Sequence, residues 1–223
     1  MSTFNLKTGD IILFDEDVKC GYLSKLIYTV IRCWTHSPYS HCGLVIVDPP
    51  RVNVITGEIH LDQDGQPERL NGTYIWDSSK HLQKDPMDGK IKFGIALVPI
   101  DVYIHCKKLR HQRLYKRSPL HPETYKLFTP EKLHGLYVEA YNKPYDTRIE
   151  YWLAIIFNIN IFRSNNAFSC SAFVSFALTY VGILDENTNW TLLTPADLSS
   201  RAKNRLQWTP GHEYGEDVEF SEF

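Results

Sequence analysis

The sequence predicts an α+β fold, and two observations lead to that prediction. Strand-like segments come first along the chain with one helix among them, and helical segments follow, an order typical of a sheet packed against helices. With 43% hydrophobic and 13% aromatic residues among 223, the chain is also long and apolar enough for one buried core. We therefore expect a single domain over residues 1–208.

Four segments are rich in valine, isoleucine, leucine and aromatic residues, as strands are. They are Ile11–Phe14 after a Gly9-Asp10 turn, His41–Asp48, Thr73–Asp77 and Phe93–Ile100. Together they predict a sheet of at least four strands. The charged segment 51–72 contains an Asp-Gly turn and predicts a hairpin insertion.

Helical spacing of apolar residues predicts a helix over 21–33, and we expect another over 149–157. A Thr-Pro pair at 129–130 supplies the N-cap and first residue of a further helix. The Thr-Pro pair at 194–195 repeats this helix-start chemistry.

Two segments lack a clear pattern. Residues 101–129 are polar and rich in histidine, so we expect an irregular insertion or lid there. The tail 209–223 contains five acidic residues and no lysine or arginine, which predicts disorder.

The composition also narrows the function classes. A net charge of −2 gives no general reason to bind nucleic acid. Five cysteines, an odd number, indicate a reducing compartment rather than a disulfide scaffold. The amino terminus has no apolar core of a signal peptide, and the apolar stretch 151–162 is shorter than the roughly 20 residues that cross a bilayer. We expect no transmembrane segment, and peripheral membrane contact stays open.

Cys170 occupies a position suited to a nucleophilic thiol. Ser169 is a good N-cap, Phe168 and Phe173 have the spacing of a hydrophobic staple, and Gly182 marks the helix end. Cys170 then falls in the first turn, where the helix dipole lowers a thiol pKa and free amides can hold an oxyanion. The alternative is a plain core cysteine, because unpaired cysteines are often buried.

A thiol nucleophile needs a base and a group that orients the base. His41 begins the second predicted strand, and Gly43 beside it allows close approach of another group. Asp77 ends the third predicted strand. If these strands are neighbours, Asp77 can accept a hydrogen bond from the far imidazole nitrogen. The alternatives are a structural strand histidine and an exposed aspartate.

Six short blocks occur in order over residues 9–198. They are Gly9-Asp10-Ile-Ile-Leu-Phe, Ser40-His41-Cys42-Gly43-Leu44, Trp76-Asp77-Ser78, Lys143-Pro144-Tyr145-Asp146, Ser169-Cys170-Ser171-Ala172-Phe173-Val174 and Thr194-Pro195-Ala196-Asp197-Leu198. This series resembles the permuted branch of the NlpC/P60 superfamily of papain-like cysteine hydrolases, especially its bacterial YiiX-like and poxviral group. The resemblance implies a circularly permuted papain-like fold, with an antiparallel sheet packed against the helix that bears the nucleophile.

In that branch the catalytic histidine precedes the cysteine, so the resemblance makes Cys170 the nucleophile and His41 its general base. The group usually has glutamate where this chain has Asp77, which is one methylene shorter. Glu58, in the hairpin, is the alternative acid.

The resemblance also provides two candidates for holding the substrate or the oxyanion. Tyr145 matches a tyrosine that lines the site in these enzymes, and Ser171 follows the nucleophile. A packing tyrosine after a proline is the alternative for Tyr145. The implied location is cytoplasmic or, for a viral source, virion-associated.

We therefore expect a thiol hydrolase that cleaves an amide, ester or thioester bond of a small-molecule, peptide or lipid-amide substrate, without a cofactor or a metal. The related lecithin retinol acyltransferase-like proteins carry Asn-Cys-Glu-His at the nucleophile. The sequence here is Ser-Cys-Ser-Ala over 169–172, which favours hydrolysis. Acyl transfer is an alternative, and so is a catalytically silent cleft protein that binds a lipid or peptide.

A zinc site is the remaining rival, because Cys33, His36, His41 and Cys42 lie within ten residues. Successive strand residues point to opposite faces of a sheet, so His41 and Cys42 are poorly placed to share one tetrahedral centre. We rank this site below the thiol mechanism.

Overall fold

A computed structural model of the chain describes residues 5–15, 35–53, 56–110, 113–148, 166–202 and 206–220, with the single positions 150, 153 and 159. The helix expected over 21–33 lies outside the described residues. So do most of the helix expected over 149–157 and most of the apolar stretch 151–162.

The described residues form an α+β fold around a six-stranded sheet. Its strands are β1 (Ile11–Asp15), β2 (His41–Val47), β3 (Thr73–Lys84), β4 (Ile91–Pro99), β5 (Arg113–Arg117) and β6 (Val218–Glu219). They lie in the order β4-β3-β2-β1-β5-β6, and every neighbouring pair is antiparallel. The four expected strands are present, and β3 continues seven residues past the expected end at Asp77.

Among the described residues, three α-helices with defined bounds accompany the sheet: α1 (Ile100–Arg110), α2 (Pro130–Ala140) and α3 (Cys170–Val181). The hydroxyl of Thr129 caps α2 by accepting from the amide of Lys132 at 3.3 Å, as its sequence predicts. Within the described part of the chain, no helix has the length and apolarity needed to cross a membrane.

Both faces of the sheet are covered, which explains the unbroken apolar run of β1. Its first four residues are each at most 1% exposed, since alternate side chains enter different clusters. The larger cluster includes α3 and α2, and the smaller one includes Tyr103 of α1. From the strands, the larger cluster takes Ile11, Leu13, Cys42, Leu44, Ile46 and Trp76, and the smaller one takes Ile12, Phe14, Val45, Ile75 and Leu114.

The expectation of an irregular insertion over 101–129 is wrong. This segment contains most of α1, all of β5 and a 3-10 turn over Pro122–Leu127. The prediction fails because β5 buries polar residues: Tyr115 is 8% exposed and Arg117 6%. The guanidinium of Arg117 is satisfied by main-chain carbonyls, so its charge is compatible with burial.

The expectation of a disordered tail over 209–223 is also wrong for its described residues, which end at 220. Arg117 donates to the carbonyls of Gly215 (2.8 Å) and Tyr214 (3.3 Å), and β6 pairs with β5. The acidic side chain of Asp217 accepts hydrogen bonds from the Tyr39 hydroxyl and the Ser200 amide, both at 2.9 Å. Asp217 therefore serves as a hydrogen-bond acceptor, a role that composition alone does not reveal.

The segment 51–72 reverses direction as a hairpin does, with antiparallel bridges from 52 to 59 and from 61 to 67. The hydrogen bonds typical of a helix N-terminus form around Thr194, but no α-helix follows them. The Thr194 amide donates to Asp197 at 2.8 Å, and the segment continues as turns.

Arg117→Ala should destabilise the fold and free the carboxyl-terminal segment. It removes three hydrogen bonds from a buried cation, and we expect a loss of about 3 kcal/mol in the free energy of unfolding. Chemical denaturation measures this loss, and limited proteolysis should show earlier cleavage near Gly215. Arg51→Ala is the matched control, because that side chain is 45% exposed and pairs at the surface with Glu68, which is 42% exposed. Equal stability of the two variants would contradict the assigned role of Arg117.

Candidate functional site

Cys170 is the first residue of α3, as expected. The Ser169 hydroxyl accepts from the amide of Ala172 at 3.3 Å, and Gly182 ends the helix in the left-handed conformation with φ of 90°. The rings of Phe168 and Phe173 lie 6.0 Å apart, edge to face, which confirms the staple. Cys170 itself is 4% exposed.

The loop before α3 is fixed to the sheet from two sides. The buried hydroxyl of Ser78 on β3 donates to the carbonyl of Phe168 at 2.7 Å. The amide of Phe168 donates to the carbonyl of Pro144 at 3.0 Å. The chain at 143–144 can run this close to β4 because position 94 is glycine, where a Cβ would collide with the Lys143 carbonyl oxygen. The start of α3 is thereby held in place.

His41 and Asp77 meet on the neighbouring strands β2 and β3. The imidazole Nε2 of His41 contacts Oδ2 of Asp77. Gly43 lies on β2, next to both side chains. A Cβ at Gly43 would collide with Ile75 and approach the Cβ of Asp77 to 3.2 Å. This absence of a side chain lets the shorter aspartate reach the histidine. Glu58, the alternative acid, is exposed and accepts from the Thr56 hydroxyl instead.

Asp77 is fully buried, and among the described residues its hydrogen bonds fall on only one of the two carboxylate oxygens, Oδ2. The hydroxyl of Tyr103 on α1 donates to its Oδ2 at 3.0 Å, and Nε2 of His81 lies 3.6 Å from its Oδ1. Burial on its own raises the pKa of this carboxyl. The charges and hydrogen bonds around it, those of His41 foremost, outweigh burial and hold the pKa of Asp77 below its usual range.

The His41 ring is held by packing as well as by its acid. The Phe14 ring of β1 lies 4.9 Å from it and 5.0 Å from the ring of Tyr103. Burial lowers the pKa of His41, but the negative charges of Cys170 and Asp77 raise it, and it stays well above its ordinary value. With Nε2 on Asp77, Nδ1 is the ring nitrogen left for the thiol.

The Cys170 thiol interacts with both His41 and Cys42. Its pKa is lowered most by a hydrogen bond from the Cys42 thiol, while burial opposes this. The charge and hydrogen bond of His41 lower it further, so the pKa of Cys170 lies well below that of an ordinary thiol. Burial and the neighbouring thiolate raise the pKa of Cys42, which therefore remains a protonated donor. The favoured state is a thiolate beside an imidazolium.

The two further candidates lie near this group. Tyr145 forms a bridge with Phe168, and its ring stacks on Phe93 with centroids 5.3 Å apart. Ser171 is buried in the first turn of α3, with its hydroxyl 3.5 Å from that of Ser169. The structure thus brings Cys170, His41 and Asp77 together, while the catalytic roles of all the candidates stay predictions.

The residues proposed for a rival zinc site do not converge where they are described. No three His, Cys, Asp or Glu side chains in the described ranges are arranged to hold a metal ion. Cys33 lies outside those ranges. His41 and Cys42 belong to opposite faces of β2, as expected, and both reach Cys170 because it lies at the end of the strand.

A narrow apolar cleft lies away from the thiol. It is lined by residues of β2, β3 and α2, among them Ile46, Trp76 and Leu133. Ile46 is five residues from His41 along β2, a distance of about 16 Å in an extended strand. The cleft is therefore at the other end of β2 from the candidate site.

Sequence reasoning missed four residues of this site. Ser78 directly follows Asp77 in the block Trp76-Asp77-Ser78. Its position next to a candidate residue was therefore an available signal. His81 lies four residues beyond Asp77, on the same strand. Cys42 was considered only as a metal ligand. Tyr103 carries no signal in the sequence, because its helix lies in a segment that looks irregular.

No protein-family model matches the chain, and no curated protein matches it in sequence. Among solved structures, the chain is similar to the crystal structure of metalloprotein YiiX from Escherichia coli O157:H7, DUF1105. The identity is 15%, the TM-score is 0.46, and 99% of each chain is covered. At this identity and TM-score, the likeness assigns neither an activity nor a metal to the present chain.

The lowered pKa of Cys170 should appear in its alkylation. Because its thiolate persists in acid, modification by iodoacetamide should stay fast well below pH 8 and decline only at lower pH. In His41→Ala the loss of the imidazolium raises the thiol pKa, so the rate should fall off at a higher pH, toward the behaviour of a free thiol with pKa of about 8.5.

Mass spectrometry of the Cys170 peptide separates its alkylation from that of the other cysteines. His60→Ala, at an exposed position, is the matched control and should follow the wild-type pH profile. An unchanged profile in His41→Ala would show that the imidazole does not act on this thiol.

Proposed function

We propose that this protein is a thiol hydrolase of circularly permuted papain-like fold, with Cys170 as nucleophile, His41 as base and acid, and Asp77 as the orienting acid. One observation carries the proposal: Cys170 at a helix start interacts with the imidazole of His41, whose Nε2 contacts the buried Asp77. A nucleophile, a base and a group that orients the base are the parts that covalent catalysis requires.

The proposed reaction begins with the thiolate. The Cys170 sulfur attacks the carbonyl carbon of an amide, ester or thioester and forms a tetrahedral intermediate. The imidazolium of His41 gives its proton to the leaving amine, alcohol or thiol as the bond to the carbonyl breaks. A thioester between Cys170 and the acyl group remains.

Water completes the cycle. Neutral His41 takes a proton from a water molecule, which attacks the thioester and releases the carboxylic acid. Cys170 returns as a thiolate and His41 as an imidazolium. Throughout, Asp77 stabilises the imidazolium charge and keeps Nδ1 directed at the sulfur.

The negative oxygen of the tetrahedral intermediate needs donors that point to its position. The start of α3 supplies main-chain amides, among them that of Ser171, and the positive end of the helix dipole. Tyr145 lies beside the loop that precedes α3 and is proposed to line the substrate site.

The order of the parts supports the permuted assignment. His41 precedes Cys170 in the chain, and β2 and β3 lie side by side in an antiparallel sheet on which α3 packs. A thiol in this geometry suits the cleavage of amides, esters and thioesters alike. A panel of the three substrate types is therefore the informative screen.

Cys170→Ala should abolish turnover of whichever substrate the panel identifies. Loss of the nucleophile typically costs about 10⁴-fold or more in kcat. Ser175→Ala, on the same helix, is the matched control: its buried hydroxyl has no hydrogen-bond partner among the described residues, so both activity and stability should remain. Hydrolysis by Cys170→Ala within a few-fold of wild type would refute the assignment.

Asp77→Asn should lower kcat by about 10³-fold and change the pH profile. His41 acts as an imidazolium, so activity falls as pH rises through its pKa. Removal of the carboxylate charge lowers that pKa, and the alkaline limb should move to lower pH. Asp64→Asn, in the exposed hairpin, should leave both kcat and the limb in place. A fall in kcat with an unmoved alkaline limb would limit Asp77 to a structural role.

A further inference from the structure

The hairpin between β3 and β4 extends past the strand that carries His41. Leu44 pairs with Trp76, so the antiparallel register sets His41 opposite Ser79. Beyond that point β3 runs on to Lys84, and β4 begins at Ile91. We call residues 80–93, which project beyond the end of β2, the β3–β4 tip.

The β3–β4 tip exposes large apolar side chains. Leu82 is 76% exposed, Ile91 62% and Phe93 54%. Phe93 is paired with Lys80 and Ile91 with Lys84, and directly opposed residues share a face of the sheet. Leu82 lies between Lys80 and Lys84 along β3, where the register of the two strands shifts. An apolar patch flanked by charged side chains on a protruding hairpin indicates a surface that contacts something.

The exposed charged side chains of the β3–β4 tip are all positive. Lys80, Lys84 and Lys90 are exposed. The two acidic side chains of the tip, Asp85 and Asp88, are each 2% exposed and lie 2.7 and 3.3 Å from the ammonium of Lys92, which neutralises them in part. The β3–β4 tip is therefore basic, although the whole chain has a net charge of −2.

The patch is continuous with the candidate site. The ring of Phe93 stacks on that of Tyr145 with 16° between their planes, and the Tyr145 amide donates to the Phe93 carbonyl at 3.2 Å. Tyr145 in turn bridges to Phe168, two residues before Cys170. The base of the tip, at Phe93, is therefore connected to the segment that precedes the thiol.

We propose that the β3–β4 tip binds an anionic lipid surface. Leu82, Ile91 and Phe93 enter the interfacial layer, while the three lysines meet anionic headgroups, an arrangement in which long lysine side chains reach the polar layer beside buried apolar residues. The two kinds of contact matter together, since stable membrane attachment generally takes two signals. This surface does not require Cys170 to be catalytic.

Binding of the full chain to vesicles tests the proposal. We expect partition onto vesicles of phosphatidylcholine mixed with phosphatidylglycerol, weaker binding in high salt, and little binding to phosphatidylcholine alone. The triple variant Lys80→Gln, Lys84→Gln, Lys90→Gln should lose about 100-fold in partition, since each lysine near an anionic surface contributes about fivefold. Leu82→Ser with Ile91→Ser should lose about 100-fold.

Matched controls lie elsewhere on the surface. Leu61→Ser, at a residue 61% exposed in the 51–72 hairpin, and Lys126→Gln, at a side chain 72% exposed, should bind vesicles as wild type does. Turnover of a soluble substrate should be equal in all these variants, which separates this proposal from that of the thiol mechanism.

Three results would overturn the lipid assignment. The first is no preference of the wild type for anionic vesicles. The second is wild-type binding by both tip variants. The third is a concentration-dependent dimer, seen by light scattering, that Leu82→Ser with Ile91→Ser abolishes while vesicle binding is absent. That last result would make the tip a protein interface.

Discussion

The site depends on one buried charge, the carboxylate of Asp77. A charged group with no exposed surface is tolerated only where donors and an opposite charge compensate its lost hydration. Two elements meet that condition at Oδ2, since β2 brings His41 and α1 brings the Tyr103 hydroxyl, while Nε2 of His81 on β3 lies 3.6 Å from Oδ1. The charge of Asp77 helps to raise the pKa of His41, and the charge of His41 in turn helps to lower the pKa of Cys170.

Asp77 and its neighbour Ser78 hold the two halves of the site from opposite faces of the sheet. Successive residues of a strand point in opposite directions. The first holds the histidine on the face covered by α1, and the second holds the carbonyl of Phe168 at the start of α3. One dipeptide of β3 thus sets the position of the base relative to the nucleophile. Gly43, opposite it, provides the space that the shorter acid needs.

The sequence predicts those parts of the fold whose cause is local. Strong apolar runs predict β1 and β2, and capping residues predict the starts of α2 and α3, because both signals act within a few residues. β5 and the carboxyl-terminal segment were not predictable in this way. Arg117 donates to a carbonyl 81 residues distant in sequence, and Asp217 accepts from the Tyr39 hydroxyl, 178 residues distant, as well as from the nearer Ser200. Likewise, a hydrogen bond between Tyr103 and Asp77 joins elements that only the tertiary fold brings together.

The position of the thiol late in the chain, after β1 to β5, bears on when its reactivity arises. The histidine and its acid lie on adjacent strands and can pair as soon as β2 and β3 meet, before α3 has left the ribosome. A cysteine in an unfolded chain keeps the pKa of a free thiol and reacts slowly with electrophiles. Its activation requires α3 to dock against β2, which carries His41. The thiol of Cys170 therefore keeps the reactivity of an ordinary cysteine until α3 is in place.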